Sequence, residues 1–298
     1  MDSSSWLQSL PVQLAGSTLR LAAPLLLAAM GGLISERAGV INIALEGFML
    51  IGAFAGAVAA HQFQSPWVGA WIGMGVGAFF AAIYALFAVR LKANQIVAGT
   101  AMNFLAAGLT PFFCKIFFDV SGNTPTLPLE VRFSSEPIWG AWILLALLSW
   151  VWSSTPVGIW IRFAGEHPQA LDAAGLGVNR IRWLAVIASG MLAALAGVTL
   201  SICLSSSFSR SMTAGRGFMA LAAVIFGKWK PIPTALACLL FGFLDAIQMR
   251  MQGLQIGGVG VPVQFIQILP YIATVIVLAG FIGRARAPRS LGLPFEKV

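Results

Sequence analysis

Thr155–Arg182, TPVGIWIRFAGEHPQALDAAGLGVNRIR, lies between two long apolar runs. It carries Arg162, Glu166, His167, Asp172, Arg180 and Arg182 in a chain where only 9% of residues are charged. Within it, Glu166–Ala174 is predicted as a short helix. Pro168 suits a first helical turn, where its missing N–H costs nothing, and Gly175 and Gly177 suit the stop. Such a segment reads either as an ordinary solvated loop or as a helix outside a bilayer that touches something.

The flanking runs define the class of fold. Of 298 residues, 58% are hydrophobic, and mean hydropathy is +0.87. Soluble domains carry roughly a quarter of their residues as charges. Several runs here reach the ~20 residues that cross a bilayer as a helix. The expectation is an all-α polytopic membrane protein, a single transmembrane domain over 1–298 with the loop 155–182 on one face. A membrane barrel shows short alternating segments instead. The net charge of +8 reads as membrane orientation rather than as nucleic-acid binding. Cys114, Cys203 and Cys238 stand singly and show no disulfide or metal framework. The opening MDSSSWLQSLPVQ lacks the basic region of a cleaved signal.

About nine transmembrane segments are expected, near 17–34, 40–60, 67–89, 95–118, 138–152, 183–204, 218–227, 232–249 and 263–282. The seventh is too short to cross and reads as a half-helix or part of a broken span. A polar, Pro-rich loop covers Asp119–Pro137, and the tail is basic at Arg284, Arg286 and Arg289. With the N-terminus outside, twelve of the 18 Lys and Arg residues fall on the cytoplasmic side, as positive-inside charge requires. The C-terminus and the loop 155–182 are then cytoplasmic. Glu46-Gly47-Phe48-Met49 is similar to Arg216-Gly217-Phe218-Met219, an offset of 170 residues from Gly47 to Gly217. The offset spans five segments, so the second copy is inverted, an arrangement that places a transport path at the repeat interface.

Polar groups inside a membrane are functional suspects. Asn42 and Glu46 are four apart and expected on one helix face. Gln95 and Asn103 share another, with Phe104 beside them. Asp245, Gln248 and Gln252 follow at i, i+3 and i+7. One reading makes Asn42, Glu46, Gln95, Asn103, Phe104, Phe218, Asp245 and Gln248 the lining of a path for a hydroxylated or heterocyclic solute. The other is hydrogen bonding between helices, at about 0.6–2 kcal/mol per contact. Gly52-x-x-x-Gly56, Gly69-x-x-x-Gly73-x-x-x-Gly77 and Ala193-x-x-x-Gly197 let helices approach closely. Tryptophans near span ends form an aromatic belt.

No phosphate-binding loop, metal-ligand spacing or serine nucleophile elbow is present. No catalytic residue or metal ligand is expected, and ATP-driven transport needs its energy from a partner.

RFAGEHPQALDAAGLGVNRIRWLAVIASGMLAALAG resembles the cytoplasmic signature of permease subunits of ATP-binding-cassette importers, in the group for branched-chain amino acids, simple sugars and nucleosides. There, a Gly-Glu-Asn-Pro-x-Ala-Ala-x-x-x-Gly segment forms the coupling helix that docks into the ATPase. Gly165, Glu166, Pro168, Ala170, Ala173 or Ala174, and Gly175 match, and His167 stands where Asn is usual. The resemblance implies ATPase coupling through Gly165, Glu166, His167, Pro168, Gln169, Ala170 and Gly175.

Ser35–Gly47 (SERAGVINIALEG) and Lys92–Asn103 are similar to the nucleoside-type, purine-nucleoside branch of that group, as is Gly215–Gly227. The implied assembly contains an ATPase subunit, a second related permease in a heterodimer, and an extracytoplasmic solute-binding protein. It lies in the bacterial inner membrane, with ATP and Mg bound by the ATPase and no cofactor in this chain. Two alternatives stand beside it: a simple-sugar permease, and an ion-coupled secondary transporter using Glu46 and Asp245. A membrane-embedded transferase needs a clustered acid–base set that the sequence lacks.

Overall fold

In a computed structural model, residues 10–251 and 286–296 are described, with 255, 256, 259, 260, 268 and 272 between them. The expected ninth segment and Gln252 lie outside the described residues. Among the described residues the architecture is helical apart from a two-residue antiparallel pair, Gln255–Ile256 with Val259–Gly260, and one isolated bridge, Asn123 with Ser209.

Among the described residues ten α-helices follow in order: α1 Leu10–Arg37, α2 Leu45–Phe63, α3 Pro66–Ala85, α4 Gln95–Phe118, α5 Glu136–Ser154, α6 Pro156–Glu166, α7 Pro168–Ala173, α8 Val178–Val198, α9 Arg216–Phe226 and α10 Pro231–Met251. α3 and α8 each run on into a π-helical stretch, Leu86–Arg90 and Thr199–Leu204. Among the described residues, six helical stretches are long and apolar enough to cross a membrane: 11–37, 66–90, 95–118, 129–154, 178–204 and 231–251. α2 has 19 residues, most of them buried in the bundle. α9 has only 11.

The local chemistry explains the bounds. α4 starts where Asn94 places its side-chain oxygen on the amides of Ile96 and Val97, at 2.9 and 3.2 Å, an N-cap in the ordinary sense. α3, α5, α6 and α7 begin with Pro in the first turn, where no amide partner is needed. α8 begins five residues before the expected Trp183. Arg182 is buried there, donating to the carbonyls of Leu293 at 2.7 Å and Ala164 at 3.1 Å.

α1 packs chiefly on α8 and α10, while α2, α3 and α8 all pack on one another. In lipid, apolar surface gives helices no reason to prefer each other over acyl chains, so backbone approach and dispersion hold them together. The glycine patterns serve that approach and converge on the α2–α3–α8 junction. A Cβ at Gly69 would come 2.8 Å from the Gly56 carbonyl oxygen, one at Gly190 2.9 Å from that of Gly77, and one at Gly197 2.8 Å from the Ala53 nitrogen. At the far end, the Pro-rich loop folds onto the Ser-rich turn after α8. Thr124 donates its amide to the Phe208 carbonyl at 3.0 Å, and Leu127 to that of Ser206 at 2.7 Å.

Two expectations are corrected. Asn42 and Glu46 do not share a helix face, because the chain is non-helical from Ala38 to Ala44. Gly39 turns it with φ +96°, and side chains from other helices take the backbone groups that a continuous helix would have paired. The polar loop also holds two helices rather than one. Glu166 closes α6, and α7 starts at Pro168, because a residue before proline is driven out of the helical region; His167 sits at φ −142°, ψ 67°.

Candidate functional site

Two polar regions stand out. The first surrounds α7. Its C-terminus is a Schellman closure: the Gly175 amide bonds the Asp172 carbonyl at 2.9 Å and the Leu176 amide bonds that of Leu171 at 3.2 Å. Gly175 supplies the left-handed turn with φ +82°. Leu171, 4% exposed, anchors the helix in a small apolar cluster with Ala164 and Val178, joined by Leu176 and Phe295. The outward side carries His167, Gln169, Ala170, Ala173, Ala174 and Gly175. A short helix is thus held firmly from below and shows small side chains above.

Glu166 and Arg37 form an ion pair at 3.2 Å beneath α7. Arg37 also donates its Nε to the Trp229 carbonyl at 2.8 Å, and the Trp229 indole donates to Glu36 Oε2 at 2.6 Å. The end of α1 therefore links α6 to the turn between α9 and α10. The tail closes the same node. The Arg289 amide reaches Glu166 Oε2 at 3.4 Å, the Ser290 amide bonds the Gly165 carbonyl at 2.8 Å, and the Gly292 amide bonds that of Gly39 at 3.0 Å. Lys92 pairs with Glu296 at 2.8 Å. Sequence reasoning missed this tail, since short backbone contacts leave no composition signal.

The second region surrounds the non-helical link before α2. Gln95 Oε1 accepts the Ile41 amide at 2.8 Å, and the Tyr84 hydroxyl donates to the Ile41 carbonyl. Asn103 bridges the helix start, accepting the Gly47 amide at 2.8 Å and donating to the Ile43 carbonyl at 2.9 Å. Asn42 donates to the Ser189 hydroxyl at 2.8 Å, while its Oδ1 has no hydrogen-bond partner among the described residues. Glu46 caps α9: Oε1 accepts the Gly215 amide at 2.9 Å and Oε2 the Gly217 amide at 2.7 Å. The dipole of a helix N-terminus favours that negative charge.

Asn42, Glu46, Gln95 and Asn103 thus gather around one backbone break. Tyr84, which the sequence reading did not single out, joins them. Phe104 and Phe218 stand apart on the chain's surface, 79% and 48% exposed. Asp245 and Gln248 are half-buried on α10, with the Arg216 charge near Asp245.

The described residues thus form a bundle of membrane-length helices, with a largely buried non-helical link between α1 and α2 and a short helix packed at one end. Residues 14–278 match the family described as branched-chain amino acid transport system / permease component, and the chain belongs to it. It is 37% identical to the guanosine ABC transporter permease protein NupQ of Bacillus subtilis (strain 168), over 94% of this chain and 95% of that one. It is also 37% identical to the nucleoside ABC transporter permease protein NupC of Lactococcus lactis subsp. cremoris, over 92% and 93%. A further Lactococcus relative, the nucleoside ABC transporter permease protein NupB, is 26% identical over 77% of this chain and 71% of its own.

Proposed function

We propose that the chain is the transmembrane permease subunit of an ATP-binding-cassette importer that carries a nucleoside, with purine nucleosides favoured, across the bacterial cytoplasmic membrane. The observation that carries this reading is the 37% identity, over more than nine-tenths of each chain, to permeases named for guanosine and for nucleosides. Two nucleoside permeases named in one Lactococcus, both similar to this chain, support a heterodimer with a second permease. An extracytoplasmic binding protein delivers the solute, and a separate ATPase binds ATP and Mg²⁺. This chain hydrolyses nothing.

The geometry supports a coupling role for α7. His167, Gln169, Ala170 and Gly175 present a compact surface, Pro168 starts the helix, Gly165 and Glu166 lie beneath it, and Arg37 carries displacement from Glu166 to the α9–α10 turn. Nine segments put the N-terminus outside and α7 and the C-terminus in the cytoplasm, with most cations inside. The two copies of the repeat meet where Glu46 caps α9, which supports an inverted arrangement with the path between them. Asn42, Glu46, Gln95, Asn103, Phe104, Phe218, Asp245 and Gln248 are candidates for its lining. Alternating access then follows from two states that ATP stabilises differently.

The test is uptake of labelled guanosine in cells lacking this chain, complemented with wild type or with Glu166→Ala, Pro168→Gly. Wild type restores ATP-dependent guanosine uptake, and the double variant does not. Restored uptake of a sugar instead, or uptake driven by an ion gradient without ATP, overturns the reading.

A further inference from the structure

Beside α6, on the outer side of the bundle, a groove of about 350 Å³ opens between the last turn of α5, α6 and the first turn of α10. Arg37, Arg162 and Lys230 line it together with Trp152, Ile232 and Pro233. Arg37 is paired with Glu166. Arg162 and Lys230 are exposed and have no carboxylate partner among the described residues. The Ser149 hydroxyl, also at the groove, is buried with no hydrogen-bond partner among the described residues. On the far side of Arg162 a second cavity adds Arg289 and His167 around the same Glu166. Two cations are thus left unbalanced at the end of an apolar slot.

The slot faces what surrounds the bundle. Leu147, Trp150, Ile232 and Leu236 on α5 and α10 are all more than half exposed, the mark of helices that meet acyl chains. We propose that this groove binds an anionic phospholipid. The headgroup phosphate lies between Arg162 and Lys230, and the acyl chain runs along Trp152 and Ile232. Basic pockets between membrane helices recognise such headgroups through charge-assisted hydrogen bonds. A free phosphate ion shares the headgroup chemistry and leaves the apolar wall unused. The site is independent of which nucleoside is carried.

The full-length chain is purified into phosphatidylcholine nanodiscs with and without phosphatidylglycerol, and retained lipid is read by native mass spectrometry after release. Wild type retains phosphatidylglycerol over phosphatidylcholine. Arg162→Gln with Lys230→Gln retains it about thirtyfold less, roughly fivefold per cation. Arg162→Lys with Lys230→Arg keeps it, which separates charge from folding. Arg90→Gln with Arg180→Gln, on a different cavity, also keeps it. Equal retention of both lipids by wild type overturns the proposal, as does equal loss in the Arg90 and Arg180 variant. So does stabilisation by inorganic phosphate as large as that by phosphatidylglycerol, which marks a free-anion site.

Discussion

Glu46 at the start of α2 holds Gly217 at the start of α9: its Oε2 accepts the Gly217 amide at 2.7 Å, and a Cβ on Gly217 would lie 2.5 Å from the Glu46 Cα. The two residues lie in the similar stretches Glu46–Met49 and Arg216–Met219, and the missing side chain of Gly217 leaves the room that Glu46 fills.

Glu46→Ala strips two amides of α9 of their acceptor within the bundle. Unmet buried donors cost about 1–3 kcal/mol, so thermal unfolding in mild detergent is expected to shift down clearly. Glu46→Gln keeps one acceptor oxygen and falls between. Identical melting of Glu46→Ala and wild type would show that the cap is idle.

The α2–α3–α8 junction makes a sharper contrast between glycines. Gly69→Val and Gly190→Val push side chains into backbone and are expected to lose about 1–3 kcal/mol, the usual cost of overpacking. Gly75→Ala, with nothing within 4 Å of its added carbon, melts as wild type does. Equal behaviour of Gly75→Ala and Gly190→Val would refute the close approach.

Gly175 is tested through α7. A β-branched residue in its left-handed turn costs about 1–2 kcal/mol, whereas Asn tolerates it. Nucleoside uptake is expected to order as wild type, Gly175→Asn, Gly175→Val, with chain abundance in the membrane unchanged. Uptake by Gly175→Val equal to wild type removes the need for a rigid α7.

The tail has its own pH signature. The hydrogen bond and charge of Lys92 hold the Glu296 carboxyl below its usual value of 4.5. Because the folded value is the lower one, the contribution is complete above the ordinary carboxylate value and is lost as pH falls through the folded one. Protease protection of residues 286–296 is expected to weaken on acidification, and Glu296→Gln to remove that dependence. The pair is exposed, so the effect shrinks with added salt. A pH profile unchanged by Glu296→Gln would sink this assignment.

Much of this was readable beforehand where the signal is local. The apolar run alone placed α4 at Gln95–Phe118, and the glycine spacing announced close helices without saying which. The break at 38–44 was not readable, because Val40, Ile41, Ile43 and Ala44 look like helix interior. Its support comes from Tyr84, Gln95, Asn103 and Ser189, partners 43 to 147 residues away. α6 was hidden for another reason. Its charges made the whole loop read as polar, although Ile159, Trp160 and Phe163 give it an apolar content.

The tail strap also sets an order of events during synthesis. Arg289 meets Glu166 across 123 residues, and Leu293 meets Arg182 across 111. The surface that carries α7 is therefore completed only after the ribosome has made every preceding helix. A chain truncated before residue 288 leaves Arg182, Gly165 and Gly39 without these partners, so the node closes only once residues 289–293 have joined it.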